Sequence, residues 1–158
     1  MRTNTTLLAG IASATLALTL AGCATTDSGG ELEITDPWVK AVDDGMTAAF
    51  GEIHNGTGAE VVIVSAATDA APRVELHETL MADDGSMIMS EKDGGFAVDA
   101  GGDLTLEPGG NHIMLMGVTD PLEPGATVSI TLTLADGGTF TYDALVKDFT
   151  GANEEYDG

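Results

Sequence analysis

Cysteine is almost missing from this chain: Cys23 is the single one in 158 residues. An intrachain disulfide is therefore excluded, even in a compartment that would permit one. Basic residues are scarce too, with 5 Lys and Arg against 26 Asp and Glu and a formal charge of −21. Such a surface excludes nucleic acid as a partner, because phosphate contacts need the opposite sign. Anionic lipid headgroups would repel it as well. The bland consequence of the acidic excess is solubility, and charge sign speaks to partners more than to function. Long apolar runs are also lacking, since Leu7–Leu20 is too short for a comfortable membrane span. The sequence holds no Gly-x-Ser-x-Gly, no phosphate-binding glycine loop and no His-Glu-x-x-His. Its paired carboxylates fall in turns that need only solvation, so there is no catalytic set and the chain does not read as an enzyme.

What is present begins with an address. Arg2 and the apolar run Leu7–Leu20 have the form of a secretory signal. The residues that end the run, Leu20-Ala21-Gly22-Cys23, look like a bacterial lipobox, in which the cysteine is lipidated and becomes the first residue of the mature protein. On this reading residues 1–22 are removed, leaving 4 Lys and Arg against 26 Asp and Glu, a formal charge of −22. Cys23 then anchors the protein to the membrane from the extracytoplasmic side, and the folded domain has no thiolate to offer a metal. Residues 23–31, rich in Thr, Ser, Gly and Asp, fit a flexible tether. Residues 32–149 have the length and apolar content of one compact domain, and the acidic residues 150–158 carry no core pattern and read as a disordered tail.

Within the domain, short apolar or alternating runs are separated by turn signals, without a sustained helical period. Strands are predicted at Leu32–Val42, Thr47–His54, Glu60–Ala67, Arg73–Met81, Ser86–Glu91, Phe96–Val98, Asp103–Leu106, His112–Val118, Thr127–Leu134 and Thr139–Lys147. Asp43-Asp44-Gly45, Asn55-Gly56, Asp83-Asp84-Gly85, Pro108-Gly109-Gly110, Pro124-Gly125 and Ala135-Asp136-Gly137-Gly138 supply the turns. The pattern is all-β, and such spacing implies a sandwich or small barrel with Greek-key connections. Asn55-Gly56-Thr57 also matches a glycosylation sequon, although a hairpin turn explains it better, and His54 beside it reads as structural or exposed.

Side-chain parity points to chemistry. In a strand over His112–Val118, Ile113 and Leu115 face one way, toward the core, while His112, Met114 and Met116 face the other, the wet side. Upstream, His77 shares its parity with Glu75, Thr79 and Met81 and points away from Val74, Leu76 and Leu80. A hairpin through Asp83-Asp84-Gly85 would fold Met87 and Met89 back onto the His77 strand. Thioethers and neutral imidazoles suit Cu(I) better than hard cations, and structural zinc usually wants thiolates or more histidines. The candidate ligands are His77, Met89, His112 and Met114, with Met87 and Met116 in reserve. The alternative is that each methionine is packing and each histidine is merely hydrogen-bonded.

His77, Met89 and His112-Ile113-Met114, set in Pro108-Gly109-Gly110-Asn111-His112-Ile113-Met114-Leu115-Met116-Gly117, together resemble the signature of the periplasmic copper chaperone family called PCuAC. Eleven residues separate His77 from Met89 and twenty-two separate Met89 from His112, each gap one residue longer than the family's usual spacing. The extra residues can sit in the Asp83–Ser86 turn and in the Gly-rich link from Gly94 to Gly110; if the first gap must stay short, Met87 replaces Met89. The resemblance runs from Pro37-Trp38-Val39 through Val74-Glu75-Leu76-His77-Glu78 to Val146-Lys147. It implies a cupredoxin-like β-sandwich that binds Cu(I) through two His and two Met and delivers it toward the copper centre of a respiratory cytochrome oxidase. A blue-copper electron carrier needs a thiolate, which this domain lacks. The histidines must be neutral to coordinate, so binding is expected to weaken as pH falls through their titration. A surface copper sink, and an adhesion or structural sandwich without metal, are the competing readings.

Overall fold

The computed structural model describes residues 30–81 and 85–150. Among them run ten strands: β1 Leu32–Lys40, β2 Gly45–Asn55, β3 Val61–Ala67, β4 Arg73–Met81, β5 Met87–Glu91, β6 Phe96–Val98, β7 Asp103–Leu106, β8 His112–Val118, β9 Thr127–Leu134 and β10 Thr139–Lys147. Each lies where the sequence pattern predicts it, with ends shifted by a few residues at most. Cys23, the tether up to residue 29 and the tail beyond Thr150 fall outside the described residues.

The strands follow the order β5-β4-β8-β2-β1-β10-β9-β3-β6, with β7 added alongside β2. Strands distant in sequence are neighbours, β1 running parallel to β10 and β4 pairing with β8, which is the Greek-key sandwich expected. In β9 the β-branched and apolar Val128, Ile130 and Leu132 turn inward while Thr127 and Ser129 face water. With Val39, Ile53, Ile113 and Leu115 they form one continuous apolar core. Each such side chain contributes about 1.5–3 kcal/mol by leaving water.

The pairing of β1 with β2 carries one irregularity. Their register shifts between Thr35 and Trp38, where Asp36 adopts a φ of 49°, a left-handed conformation that Asp tolerates better than most residues. The displaced backbone presses on Gly51, whose φ is 151° and where a Cβ would lie 3.2 Å from the Pro37 Cα. A side chain at Gly51 would require the Pro37 backbone and the Ile34 side chain to give by a few tenths of an ångström, in a conformation that L side chains rarely adopt.

The two halves of β2 share an edge with two partners. Gly51 lies opposite Leu106 of β7 and Ala49 opposite Ile113 of β8, so β7 and β8 are one strand interrupted by the loop Glu107–Asn111. Glu107 N donates to Asn111 O at 2.8 Å and Gly110 N to Glu107 O at 3.0 Å, closing the loop on itself. Gly109 makes the reversal with a φ of 82°. The chain re-enters the sheet at His112.

One turn expectation needs correcting. Asn55-Gly56 does not close a hairpin, because the partners of β2 are β1, β7 and β8 and not β3. Asn55 is fully buried, and its Nδ2 donates to the carbonyls of Ala59, Val98 and Asp99 while its Oδ1 accepts from Thr57 N and Oγ1. The amide pins the end of β2 to the end of β6, a long-range role that local turn propensity does not reveal. That burial and bonding also leave Asn55 Nδ2 inaccessible as a glycosylation acceptor.

Candidate metal centre

β5, β4, β8 and β2 lie side by side, and in antiparallel strands residues directly opposite share a face. His77 of β4 is opposite His112 of β8, and their ring centroids are 5.5 Å apart. One rung to one side, Thr79 faces Met89 of β5. One rung to the other side, Glu75 faces Met114 of β8, which in turn faces Ala48 of β2. His77, His112, Met89 and Met114 therefore occupy one face of one layer.

That face is not the solvated one expected from parity alone: His77 is 0%, His112 2%, Met89 4% and Met114 6% exposed. The Glu107–Asn111 loop is drawn onto it, since the Gly110 carbonyl accepts from Thr79 Oγ1 at 3.2 Å and from His112 Nδ1 at 3.0 Å. The Phe50 ring stands 6.3 Å from that of His112 and stacks 4.5 Å from Trp38. Met89, Met114 and Met116 cluster apart from the main core.

The hydrogen bonds set the tautomers. A carbonyl can only accept, so His112 carries its proton on Nδ1 and turns the lone pair of the buried Nε2 inward. His77 Nε2 donates to Glu75 Oε2 at 2.8 Å, which leaves the lone pair on its buried Nδ1. Glu75 is itself buried and accepts from Arg73, whose Nε lies 2.6 Å from Oε1 and whose Nη2 reaches the same oxygen. Burial pushes the Glu75 carboxyl up, but the hydrogen bonds from His77 and Arg73 and the charge of the Arg73 guanidinium outweigh it and hold it below its ordinary range. Glu75 was not singled out by sequence reasoning; its signal was the shared parity with His77 two residues on.

The remaining methionines divide. Met116 is buried opposite Arg73 and packs with Met89 and Met114, whereas Met87 sits opposite Met81 at the exposed end of the β4–β5 hairpin. His54 stands away from this group, exposed on the far half of β2, with its Nδ1 2.6 Å from Asp103 Oδ1. Among the described residues no group of three or more His, Cys, Asp or Glu converges on a metal position. Donors that could join the two imidazoles are thioethers.

This all-β sandwich is the fold of solved PCuAC domains. Solved neighbours bear this out: a copper-bound PCuAC domain from PmoF2 shares the fold at a TM-score of 0.62 and 18% identity, over 77% of this chain and 97% of that one. The CuI form of DR1885 from Deinococcus radiodurans is 30% identical with a TM-score of 0.59, over 82% of this chain and 89% of that one. The chain belongs to the LpqE-like lipoprotein family, which matches residues 32–146. A protein named as a lipoprotein, Lxx21020 of Leifsonia xyli subsp. xyli, is 41% identical over the full length of both chains. The expected cupredoxin-like β fold and the PCuAC resemblance both hold.

Proposed function

We propose that this protein is a lipid-anchored, extracytoplasmic Cu(I) chaperone, with His77 Nδ1, His112 Nε2 and the thioethers of Met89 and Met114 as the ligands of its cargo. The observation that carries the reading is the direct opposition of the two imidazoles on a buried face, with a methionine on the rung to either side. The solved CuI form of DR1885 supports the oxidation state, and the copper-bound domain from PmoF2 supports the metal. All four donors are neutral and soft to borderline, so they match a singly charged soft ion. The Glu75 carboxylate, one hydrogen bond from His77, supplies the compensating negative charge without occupying a coordination position. Thioethers need no deprotonation to bind or release, which suits a carrier that must give its ion away.

Residues 1–22 would be the signal peptide and Cys23 the lipid anchor, in keeping with the lipoprotein names of the family and of its Leifsonia relative. Replacing Cys23 with Ser should then move the protein from the membrane fraction to the soluble one. Delivery toward the copper centre of a cytochrome oxidase is the acceptor we favour.

Anaerobic Cu(I) titration with X-ray absorption at the copper edge tests the site by counting nitrogen and sulfur neighbours. One ion per chain is expected, with strong weakening in His112→Ala and in Met114→Ala. Unchanged affinity in both variants would remove this site. Transfer to an apo-oxidase copper subunit tests delivery, and tight binding without transfer would favour a sink.

A further inference from the structure

A carrier must load and unload, yet no side chain of a donor can touch a histidine that is 0% exposed. The face around the buried centre suggests how the ion reaches it. All six methionines after Met1 lie on this one face. Met89, Met114 and Met116 are buried, while Met81 at 75%, Met46 at 50% and Met87 at 43% are exposed. Met81 and Met87 are directly opposite one another on the rung next to Thr79 and Met89. Cβ atoms of such a pair stand about 4.5–5.5 Å apart, within reach of two flexible thioethers closing on one ion.

Water-exposed apolar side chains gain nothing from burial, so packing does not account for two thioethers facing each other here. Other types of large side chain fill the opposite face of the same hairpin end, where Leu80 pairs with Ile88. Sulfur is confined to the side that leads to the imidazoles.

We propose that Met81 and Met87 form an outer, two-thioether Cu(I) docking site, from which the ion passes one rung inward to Met89 and then to His77 and His112. The step is ligand exchange: an S–Cu bond to the outer pair breaks as one to Met89 forms. Copper stays Cu(I), no proton moves because thioethers carry none, and the ligand of the donor complex departs when the outer pair takes the ion. The inference rests on the buried centre proposed above.

The test uses the full chain and a chromogenic Cu(I)–bicinchoninate complex as donor, followed anaerobically by stopped-flow absorbance. Met81→Leu/Met87→Leu should still bind one ion tightly but acquire it several-fold more slowly than the unaltered protein. In the His77→Gln/His112→Gln background, weak Cu(I) uptake with sulfur scattering should persist and weaken several-fold when both leucines are added. If the leucine variant loads as fast as the unaltered protein, the outer site is overturned, and that comparison does not depend on whether the glutamine variant folds. Failure of the buried centre is separate: the unaltered chain would then show no mixed nitrogen and sulfur scattering at one equivalent.

Discussion

β8 serves two interiors. Ile113 and Leu115 enter the main apolar core, whereas His112, Met114 and Met116, on the other side of the same strand, are buried almost as deeply in a cluster of their own. Depth of burial therefore does not separate packing from chemistry here. The separation lies in what each side requires of its neighbours. The core side asks only for volume and shape, which any well-fitting hydrocarbon can meet. The other side holds ring nitrogens whose positions depend on a carboxylate at Glu75 and a carbonyl at Gly110. It is also the side where the sheet concentrates polarizable sulfur.

Exchanging damage between the two sides gives the sharpest contrast. His77→Ala should weaken Cu(I) binding by more than the roughly 10–100-fold that loss of an outer-shell partner costs, as read by competition with a Cu(I) chelator. Leu115→Ala, one face away, should instead lower unfolding free energy by about 2–5 kcal/mol in a denaturant titration. Its folded fraction should keep the affinity of the unaltered protein. If the two variants swapped phenotypes, the division of β8 into scaffold and site would be wrong.

Glu75→Gln probes the support behind the His77 ring, since it keeps the shape and removes the charge. Affinity for Cu(I) should fall by about 10–100-fold while one ion still binds. The same variant carries a pH signature. The carboxyl is held below its ordinary value of 4.5, so the folded state takes up the proton less readily than the unfolded chain. Its contribution to stability is then complete above about pH 4.5 and is lost as pH falls through the lowered value. The stability gap between the unaltered protein and Glu75→Gln should narrow on acidification; a constant gap would mean that the carboxylate is not tied to its partners. The smallest effect is expected from Met116→Leu, a volume-conserving change worth less than about 1.5 kcal/mol, with copper stoichiometry and affinity retained. A collapse of affinity there would instead make Met116 a ligand.

Much of the fold was legible because a strand's period of two and the Gly, Pro, Asn and Asp of its turns are local signals. That is why β9, with its clean alternation, and the β4–β5 hairpin through Gly85 could be read directly. Asn55-Gly56 misled for the same reason: the dipeptide has hairpin propensity, and nothing local shows that the amide will reach Val98 and Asp99. At the candidate centre, parity alone sufficed to group His112 with Met114 and His77 with Met81. It could not tell whether that face would be wet or buried, because burial depends on segments distant in sequence, such as the Gly110 carbonyl that bonds Thr79.

By itself, then, the order of residues determined the strands, the sidedness of each one, and the absence of a thiolate from the domain. Only the tertiary structure decided the register that sets His77 against His112, the placement of Glu75 behind the ring, and the gathering of Met46 and Met81 with the other sulfurs. The physical reason is one of range. Alternation is written in neighbouring residues, whereas register between β4 and β8 is chosen by the whole core, where a slip of one residue would turn every side chain to the wrong face.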